Sequence, residues 1–220
     1  PFTVGVLSSP ANFSGPAIAL ASLAFAFQLT IDFSALFDIL LGAASVLGID
    51  LPENFQSPFV AKTFPDLFRR WHISLTSFFS DYVLAPVTKL GRDSKPAATA
   101  AKIIGILLSF MLLGAWHGLN SGYLLWGFAC GILVLLGTLV CAKKDKLVSR
   151  IPLYRAKPVR GVVQCAIVNL GFSISCVLFA SAWFSFPLSS WMRGLSYGWG
   201  RFSELPAVLR QFGITGNLQW

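Results

Sequence analysis

Long apolar runs alternate with short polar segments along this chain, and they predict helices that cross a membrane. One apolar region covers residues 17–29 and continues, after a polar notch at Asp32, into residues 33–47. A second run covers residues 97–141 and a third covers residues 162–186. About 20 apolar residues suffice for a helix to cross the hydrocarbon core. The pattern therefore predicts an all-α, polytopic integral membrane bundle.

The second run is interrupted once, at Gly114-Ala-Trp-His-Gly-Leu-Asn-Ser-Gly122. Its length suits two spans joined by this break. Glycines at 114, 118 and 122 allow a helix to end or two backbones to approach closely. We expect the break to lie within the membrane or toward its far side, because both flanking loops are basic.

Residues 65–82 follow a different pattern, which predicts an amphipathic helix rather than a span. At 100° per residue the large apolar side chains occupy one arc, namely Leu67, Phe68, Trp71, Leu75, Phe78, Phe79 and Tyr82. Thr63 is placed to cap the helix, with Asp66 three residues later, and Pro86 is expected to end it. Such a helix lies at the membrane interface or re-enters the bundle beside a polar cavity.

Composition and charge agree with a membrane protein. The chain of 220 residues is 55% hydrophobic and only 12% charged, whereas soluble domains carry about 25% charged residues. The net charge is +8, and basic residues cluster in two loops, about 88–96 and 143–160. The positive-inside rule places such loops in the cytoplasm, so we expect no nucleic-acid partner. The four cysteines form no CxxC pair, and neither a metal site nor a disulfide is predicted.

The chain begins at Pro1 and shows no signal-peptide pattern. We therefore expect residues 1–220 to be a single membrane domain, the C-terminal half of a longer protein.

His117 is the strongest candidate for chemistry, because it lies in the break between two apolar runs. An ionisable residue at membrane depth is costly and indicates a functional site, and histidine exchanges protons near neutral pH. Alternatively, His117 hydrogen-bonds a neighbouring helix.

His72, the second of the two histidines, lies on the amphipathic segment, where a purely structural role competes more strongly. Asp32 and Asp38 are each interpreted as part of a polar cavity wall or as a partner of Arg69 or Arg70. Alternatively, Asp32 caps a helix that starts at Phe33, and Asp38 forms an intramembrane ion pair without a catalytic role. The sequence contains no P-loop, dinucleotide fingerprint, GxSxG elbow or HExxH motif.

Four segments in order resemble the membrane-bound O-acyltransferase (MBOAT) family. They are the segment from Asp32-Phe33-Ser34 to Asp38 and Gly42, Leu51-Pro-Glu-Asn-Phe55, Phe68-Arg-Arg-Trp-His-Ile-Ser-Leu75 with Asp81-Tyr82, and Leu113-Gly-Ala-Trp-His-Gly118 with Leu125-Trp-Gly127. The branch resembled acetylates alginate and cellulose and D-alanylates teichoic acid. Departures include the apolar Ala35, Leu36 and Phe37 and the absence of an arginine at Ser80.

The resemblance implies a multi-helix fold with a central tunnel and two catalytic histidines, His117 and His72. It also implies substrate contacts from Trp116, Asn54, Arg69, Arg70, Trp71, Asp38 and Asp81. The expected reaction moves an acyl group, most simply acetyl, from a thioester to a hydroxyl. The donor would be acetyl-CoA or an acyl carrier protein, with no bound cofactor. The acceptor would be a cell-envelope glycan, reached with an extracytoplasmic partner protein. The protein itself would lie in the inner (cytoplasmic) membrane.

Two other functions fit the apolar pattern. A transporter or channel also uses broken spans with intramembrane charge, although no inverted repeat is found. An inactive MBOAT-like scaffold fits the departures from the family motifs.

Overall fold

The computed structural model describes residues 2–148, 157–199 and 201–213, which fold into helices and loops with no strand among them. The helices are α1 (Phe2–Ser8), α2 (Gly15–Val46), α3 (Phe64–Phe68), α4 (Ile73–Phe79), α5 (Ala85–Leu90), α6 (Lys95–His117), α7 (Ser121–Val148), α8 (Lys157–Trp183), α9 (Leu188–Ser196) and α10 (Leu205–Gln211). Short 3₁₀ turns cover Pro10–Asn12, Pro58–Val60 and Phe202–Glu204, and a π-helical turn covers Ser80–Leu84.

Four of the described helices have segments long and apolar enough to cross a membrane: Gly15–Val46, Lys95–His117, Ser121–Thr138 and Pro158–Trp183. Large apolar side chains such as Ile39, Leu112 and Ile167 stay exposed on them. Lipid covers such surfaces in a membrane protein. The predicted all-α membrane bundle is thereby confirmed.

The first apolar region forms one helix, α2, which passes through Asp32 without a break. The interpretation of Asp32 as a helix-start cap is therefore wrong, because the residue lies well inside α2. The second run divides where the glycine-rich break predicts, between His117 and Ser121. Most of the second basic loop, residues 143–160, lies outside the residues whose side chains are described.

The predicted amphipathic helix over residues 65–82 is wrong in its continuity. It consists of α3 and α4, separated by a turn over residues 69–72. Thr63 does cap α3, since its hydroxyl accepts the N–H of Asp66 at 3.1 Å. Phe78 and Tyr82 of the predicted apolar arc are exposed, at 53% and 71%.

Pro86 does not end this region. It lies in the first turn of α5, directly after the π-helical turn Ser80–Leu84, and α5 continues to Leu90. Proline removes one backbone donor and clashes with the preceding turn. The wider π-helical turn accommodates both effects without ending the helix.

The chain divides into two compact units, and α2 and α8 contribute residues to both. The first comprises Pro1–Leu29 and Ser173–Trp220. Within it the indole N–H of Trp191 donates to the Ser22 hydroxyl at 3.0 Å, and the ring of Phe25 packs edge-on against Phe184.

The second unit, Thr30–Phe172, contains both histidines. Its buried core includes Leu67, Phe68, Phe110, Val134 and Phe172. The ring of Phe68 packs edge-on against Phe110 at 4.7 Å and against Phe172 at 6.2 Å. These contacts join α3 to α6 and to α8, and they hold the segment that carries His72.

Candidate functional site

His117 is the last residue of α6, and the backbone leaves the helix directly after it. Gly118 follows with φ of 153°, a conformation that residues with a side chain rarely adopt. The side-chain oxygen of Asn120 then accepts the N–H of Gly122 at 2.8 Å and caps the start of α7. His117 therefore occupies a fixed position at a tight turn between two spans.

Close packing of α6 on α7 brings aromatic side chains to this turn. The Cα of Gly114 lies 3.2 Å from the position that a Cβ on Gly127 would occupy, and that Cβ would also overlap the Phe110 carbonyl oxygen. A Cβ on Gly114 would overlap the Tyr123 carbonyl oxygen. Glycine pairs of this kind let two membrane helices approach closely.

Three aromatic rings surround His117. The imidazole lies 4.9 Å from the Trp116 ring, 5.3 Å from the Trp126 ring and 6.1 Å from the Tyr123 ring, measured between centroids. The Trp116 and Trp126 rings meet it nearly at right angles. Edge-to-face contacts of this kind fix the orientation of the imidazole.

His72 lies in the turn between α3 and α4 and has left-handed backbone geometry, with φ 47° and ψ 57°. The connector after α2 holds this turn. The Ile73 N–H donates to the Asn54 carbonyl at 3.0 Å, and the Gln56 N–H donates to the Arg70 carbonyl at 2.9 Å. The turn is thus specified by contacts distant in sequence.

The His72 imidazole sits among phenylalanine rings. Phe37 meets it edge-on at 5.0 Å, Phe55 lies at 6.2 Å and Phe33 at 6.4 Å. Its Nδ1 atom is buried and makes no hydrogen bond within the described residues. Burial lowers the pKa of His72 below its ordinary value, and the residue's own backbone opposes this shift only in part. His72 is therefore neutral at pH 7.

The two histidines belong to the same compact unit, Thr30–Phe172. Trp71, next to His72, packs edge-on against Phe55 at 5.3 Å and against Phe172 at 5.0 Å. Both predicted catalytic histidines thus lie in the same compact unit, each among aromatic rings. An imidazole held in this way can accept and return a proton.

A cavity of about 460 Å³ lies between α3, α4, α6 and α7. Its lining residues are Thr63, Pro65, Phe68, Arg69, Thr76, Phe79, Ser80, Leu84, Lys102, Ile106, Ser109, Phe110, Leu113, Val134 and Thr138. Leu113 lies one helical turn before His117 on α6. The cavity therefore extends toward the turn that carries His117.

The other predicted site residues take different positions. Arg69 lines the cavity, but Arg70 pairs with Asp66 at 3.0 Å. The expected pairing of Asp38 with an arginine is wrong, since Asp38 is exposed on α2 and no ion pair within the described residues includes it. Asp81 is exposed on the π-helical turn.

Trp116 and Asn54 differ sharply in exposure. Trp116 is 59% exposed beside His117, whereas Asn54 is 5% exposed and bonds Ser74. Trp116 can thus contact a bound molecule directly, and Asn54 acts through the turn that it holds.

Sequence reasoning missed Lys102, Tyr123 and the phenylalanines around His72. Lys102 was detectable, because it is a lone cation within a predicted span, and such residues indicate function. Phe37 gave no such signal, because an apolar residue in an apolar region is indistinguishable from a lipid-facing one. Phe55 stood out only as part of the family-like segment Leu51–Phe55, which does not indicate contact with a histidine.

The fold and these sites define a multi-pass α-helical membrane protein that carries two histidines, each held among aromatic rings. Residues 4–182 match the sequence pattern of the MBOAT, membrane-bound O-acyltransferase family. The chain belongs to this family, which confirms the resemblance inferred from its motifs.

Curated relatives include envelope-modifying enzymes. The chain is 36% identical over 113 residues to the peptidoglycan O-acetyltransferase of Helicobacter pylori, covering 51% of this chain and 20% of that protein. It is 35% identical over 112 residues to the teichoic acid D-alanyltransferase of Bacillus subtilis, covering 50% and 28%. It is 35% identical over 108 residues to a Pseudomonas fluorescens protein named "Probable alginate O-acetylase AlgI", covering 49% and 21%. The matches thus span between a fifth and under a third of these relatives.

Proposed function

We propose that this protein is a membrane-embedded O-acyltransferase that moves an acyl group from a thioester to a hydroxyl of a cell-envelope polymer. Membership in the MBOAT family and the names of the curated relatives support this class of reaction. The observation that carries the proposal is the position of His117. It is fixed at the turn between α6 and α7 among three aromatic rings, and it lies one helical turn after Leu113, which lines the cavity.

In the proposed reaction an imidazole nitrogen of His117 accepts the proton of the acceptor hydroxyl. The hydroxyl oxygen forms a bond to the thioester carbonyl carbon, and the carbon–sulfur bond breaks. The proton returns to the departing sulfur, so that the products are an ester and a thiol. A base positioned in this way accelerates such a step by about 10²–10⁴-fold.

The attacked carbonyl oxygen becomes negative and needs hydrogen-bond donors. We propose that donors come from the indole N–H of Trp116, the loop amides around Gly118, or His72. We propose that the site shields the bound thioester from water, which favours transfer to the acceptor over hydrolysis of the thioester.

We propose acetyl as the acyl group and acetyl-CoA or an acyl carrier protein as donor. The acceptor class is a cell-envelope glycan, reached with an extracytoplasmic partner protein. The basic residues Lys89 near the end of α5, Arg92 in the loop and Lys95 at the start of α6 favour a cytoplasmic position for that loop. This orientation suits an inner-membrane protein whose donor arrives from the cytoplasm.

The test measures envelope-bound acyl ester in host cells that produce the full-length protein, with membrane levels matched between variants. His117→Ala and His117→Gln should both reduce ester to the level of cells without the protein. Leu119→Ala is the matched control, because Leu119 is 88% exposed in the same turn. Ester at the wild-type level in His117→Gln would overturn the assignment of His117 as the base and leave His117 a structural role.

A further inference from the structure

The cavity between α3, α4, α6 and α7 has walls of two kinds, and the difference indicates its ligand. One part is apolar and includes Phe68, Phe110, Leu113 and Val134. Its volume of about 460 Å³ falls in the range of small-molecule sites. An elongated apolar chain could fill this part.

Three of the hydroxyl groups in the wall offer acceptors rather than donors to a ligand. The Thr76, Ser109 and Thr138 hydroxyls donate to the Trp71, Gly105 and Val134 carbonyls, at 3.3, 2.7 and 2.8 Å. Each hydroxyl has thus used its only proton within the protein. Because these hydroxyls already donate within the protein, this part of the wall is compatible with a weakly polar chain.

Positive charge in the wall is not balanced by nearby acid. Arg69 and Lys102 both line the cavity, and the described lining residues include no aspartate or glutamate. Within the described part of the chain neither cation takes part in an ion pair, whereas the adjacent Arg70 is paired with Asp66. Arg69 and Lys102 are therefore available to an anionic group.

We propose that this cavity binds an amphiphile with a phosphate head, the phosphate lying between Arg69 and Lys102 and the flexible chain along Phe68, Phe110 and Leu113. Arginine pairs with phosphate through two parallel hydrogen bonds, and lysine supplies a compact charge. Basic pockets between membrane helices bind anionic lipid head groups in this way.

Two molecules share this chemistry. One is an anionic phospholipid of the bilayer, whose binding needs no acyl transfer. The other is the phosphate-bearing arm of a coenzyme A-type donor, and this source rests on the proposed function. Since Leu113 is one turn from His117, the chain of a donor would lead toward the proposed base.

The experiment uses purified full-length protein in an uncharged detergent and measures binding by native mass spectrometry. The probes are a short-chain phosphatidylglycerol, the diacylglycerol with the same chains, acetyl-CoA and inorganic phosphate. Arg69→Gln and Lys102→Gln should each weaken the charged amphiphile by about tenfold or more. Arg92→Gln is the control, because Arg92 is an exposed cation outside the cavity.

The pattern of binding identifies the source. Phosphatidylglycerol bound in preference to diacylglycerol, and not displaced by acetyl-CoA, supports a lipid site. Acetyl-CoA that binds or competes with the same dependence on Arg69 and Lys102 supports a donor site. His117→Ala should bind the preferred probe as wild type does, so a failure of the proposed reaction would leave this result unchanged.

Three outcomes would overturn the proposal. The first is that neither phosphatidylglycerol nor acetyl-CoA binds. The second is binding that falls no more in Arg69→Gln and Lys102→Gln than in Arg92→Gln. The third is inorganic phosphate binding as tightly as the amphiphile, which would remove the role of the apolar wall. The midpoint of thermal unfolding, measured on each variant, separates a lost contact from a lost fold.

Discussion

The side-chain oxygen of Asn54 accepts two hydrogen bonds from Ser74, one from its N–H at 3.0 Å and one from its hydroxyl at 2.6 Å. Asn54 belongs to the connector after α2, and Ser74 lies in the first turn of α4, two residues after His72. One buried amide thus satisfies a free N–H at the start of a helix that has no side-chain cap of its own. This contact fixes where α4 begins, and with it the position of His72.

Replacing Asn54 by alanine should destabilise the protein by about 1–3 kcal/mol, because the Ser74 N–H loses its partner beside a buried site. Acyl ester in cells should fall as well, since the His72 turn loses one of its supports. The midpoint of denaturant unfolding in detergent measures the first effect. Ser77→Ala is the control, an exposed serine on the same helix, and an Asn54→Ala variant no less stable than this control would contradict the account.

The left-handed backbone at His72 makes a prediction about which substitutions the turn tolerates. Asparagine adopts this conformation more readily than β-branched residues do. His72→Val should therefore be less stable than His72→Asn by about 1–2 kcal/mol. Denaturant unfolding of both variants measures the difference, and equal stabilities would show that the turn relaxes when His72 is replaced.

Acid should destabilise the protein through His72. Its pKa is lowered in the folded state from an ordinary value of 6.5, with burial as the main cause. The unfolded chain therefore binds more protons as the pH falls below that value, and stability falls with it. Above the ordinary pKa both states hold a neutral imidazole, and the contribution of His72 is fully present.

The measurement is the midpoint of thermal unfolding between about pH 8 and pH 5. The wild type should lose more stability on acidification than His72→Asn, which has no imidazole to protonate at this position. Identical slopes in the two proteins would show that other groups cause the whole dependence.

The sequence predicted the features that depend on local chemistry. The Thr63 cap, the break after His117 and the four apolar spans follow from residue types and their spacing. The helix break at His72 could not be predicted in this way. The local pattern there is helical, and the break is caused by hydrogen bonds with the distant connector residues Asn54 and Gln56. The pairing of Arg70 with Asp66 was also missed, although a spacing of four residues on a helix favours it.

Pro86 is a second position where the local sequence pattern predicted the wrong structure. A proline inside a helical pattern predicts the end of the helix, but a π-helical turn directly before it lets the helix continue.

Arg69 and Lys102 lie 33 positions apart in the chain and line one cavity. Only the packing of α3 against α6 and α7 brings them to the same wall.

The contact of α6 with α7 at Gly127 should be intolerant of even one added methyl group. A Cβ at this position would overlap the Phe110 carbonyl oxygen and lie 3.2 Å from the Gly114 Cα, and backbone atoms of two packed helices cannot move aside cheaply. Gly127→Ala should therefore destabilise the fold by about 1–3 kcal/mol and displace Trp126 from His117, which lowers ester formation.

Gly42→Ala is the matched control within a membrane span, because its Cβ would meet nothing within 4 Å, and alanine favours a helix over glycine by up to about 1 kcal/mol. Thermal unfolding and cellular ester should both fall in Gly127→Ala and hold in Gly42→Ala. A Gly127→Ala variant with wild-type stability and ester would mean that close approach of the two helices does not position His117.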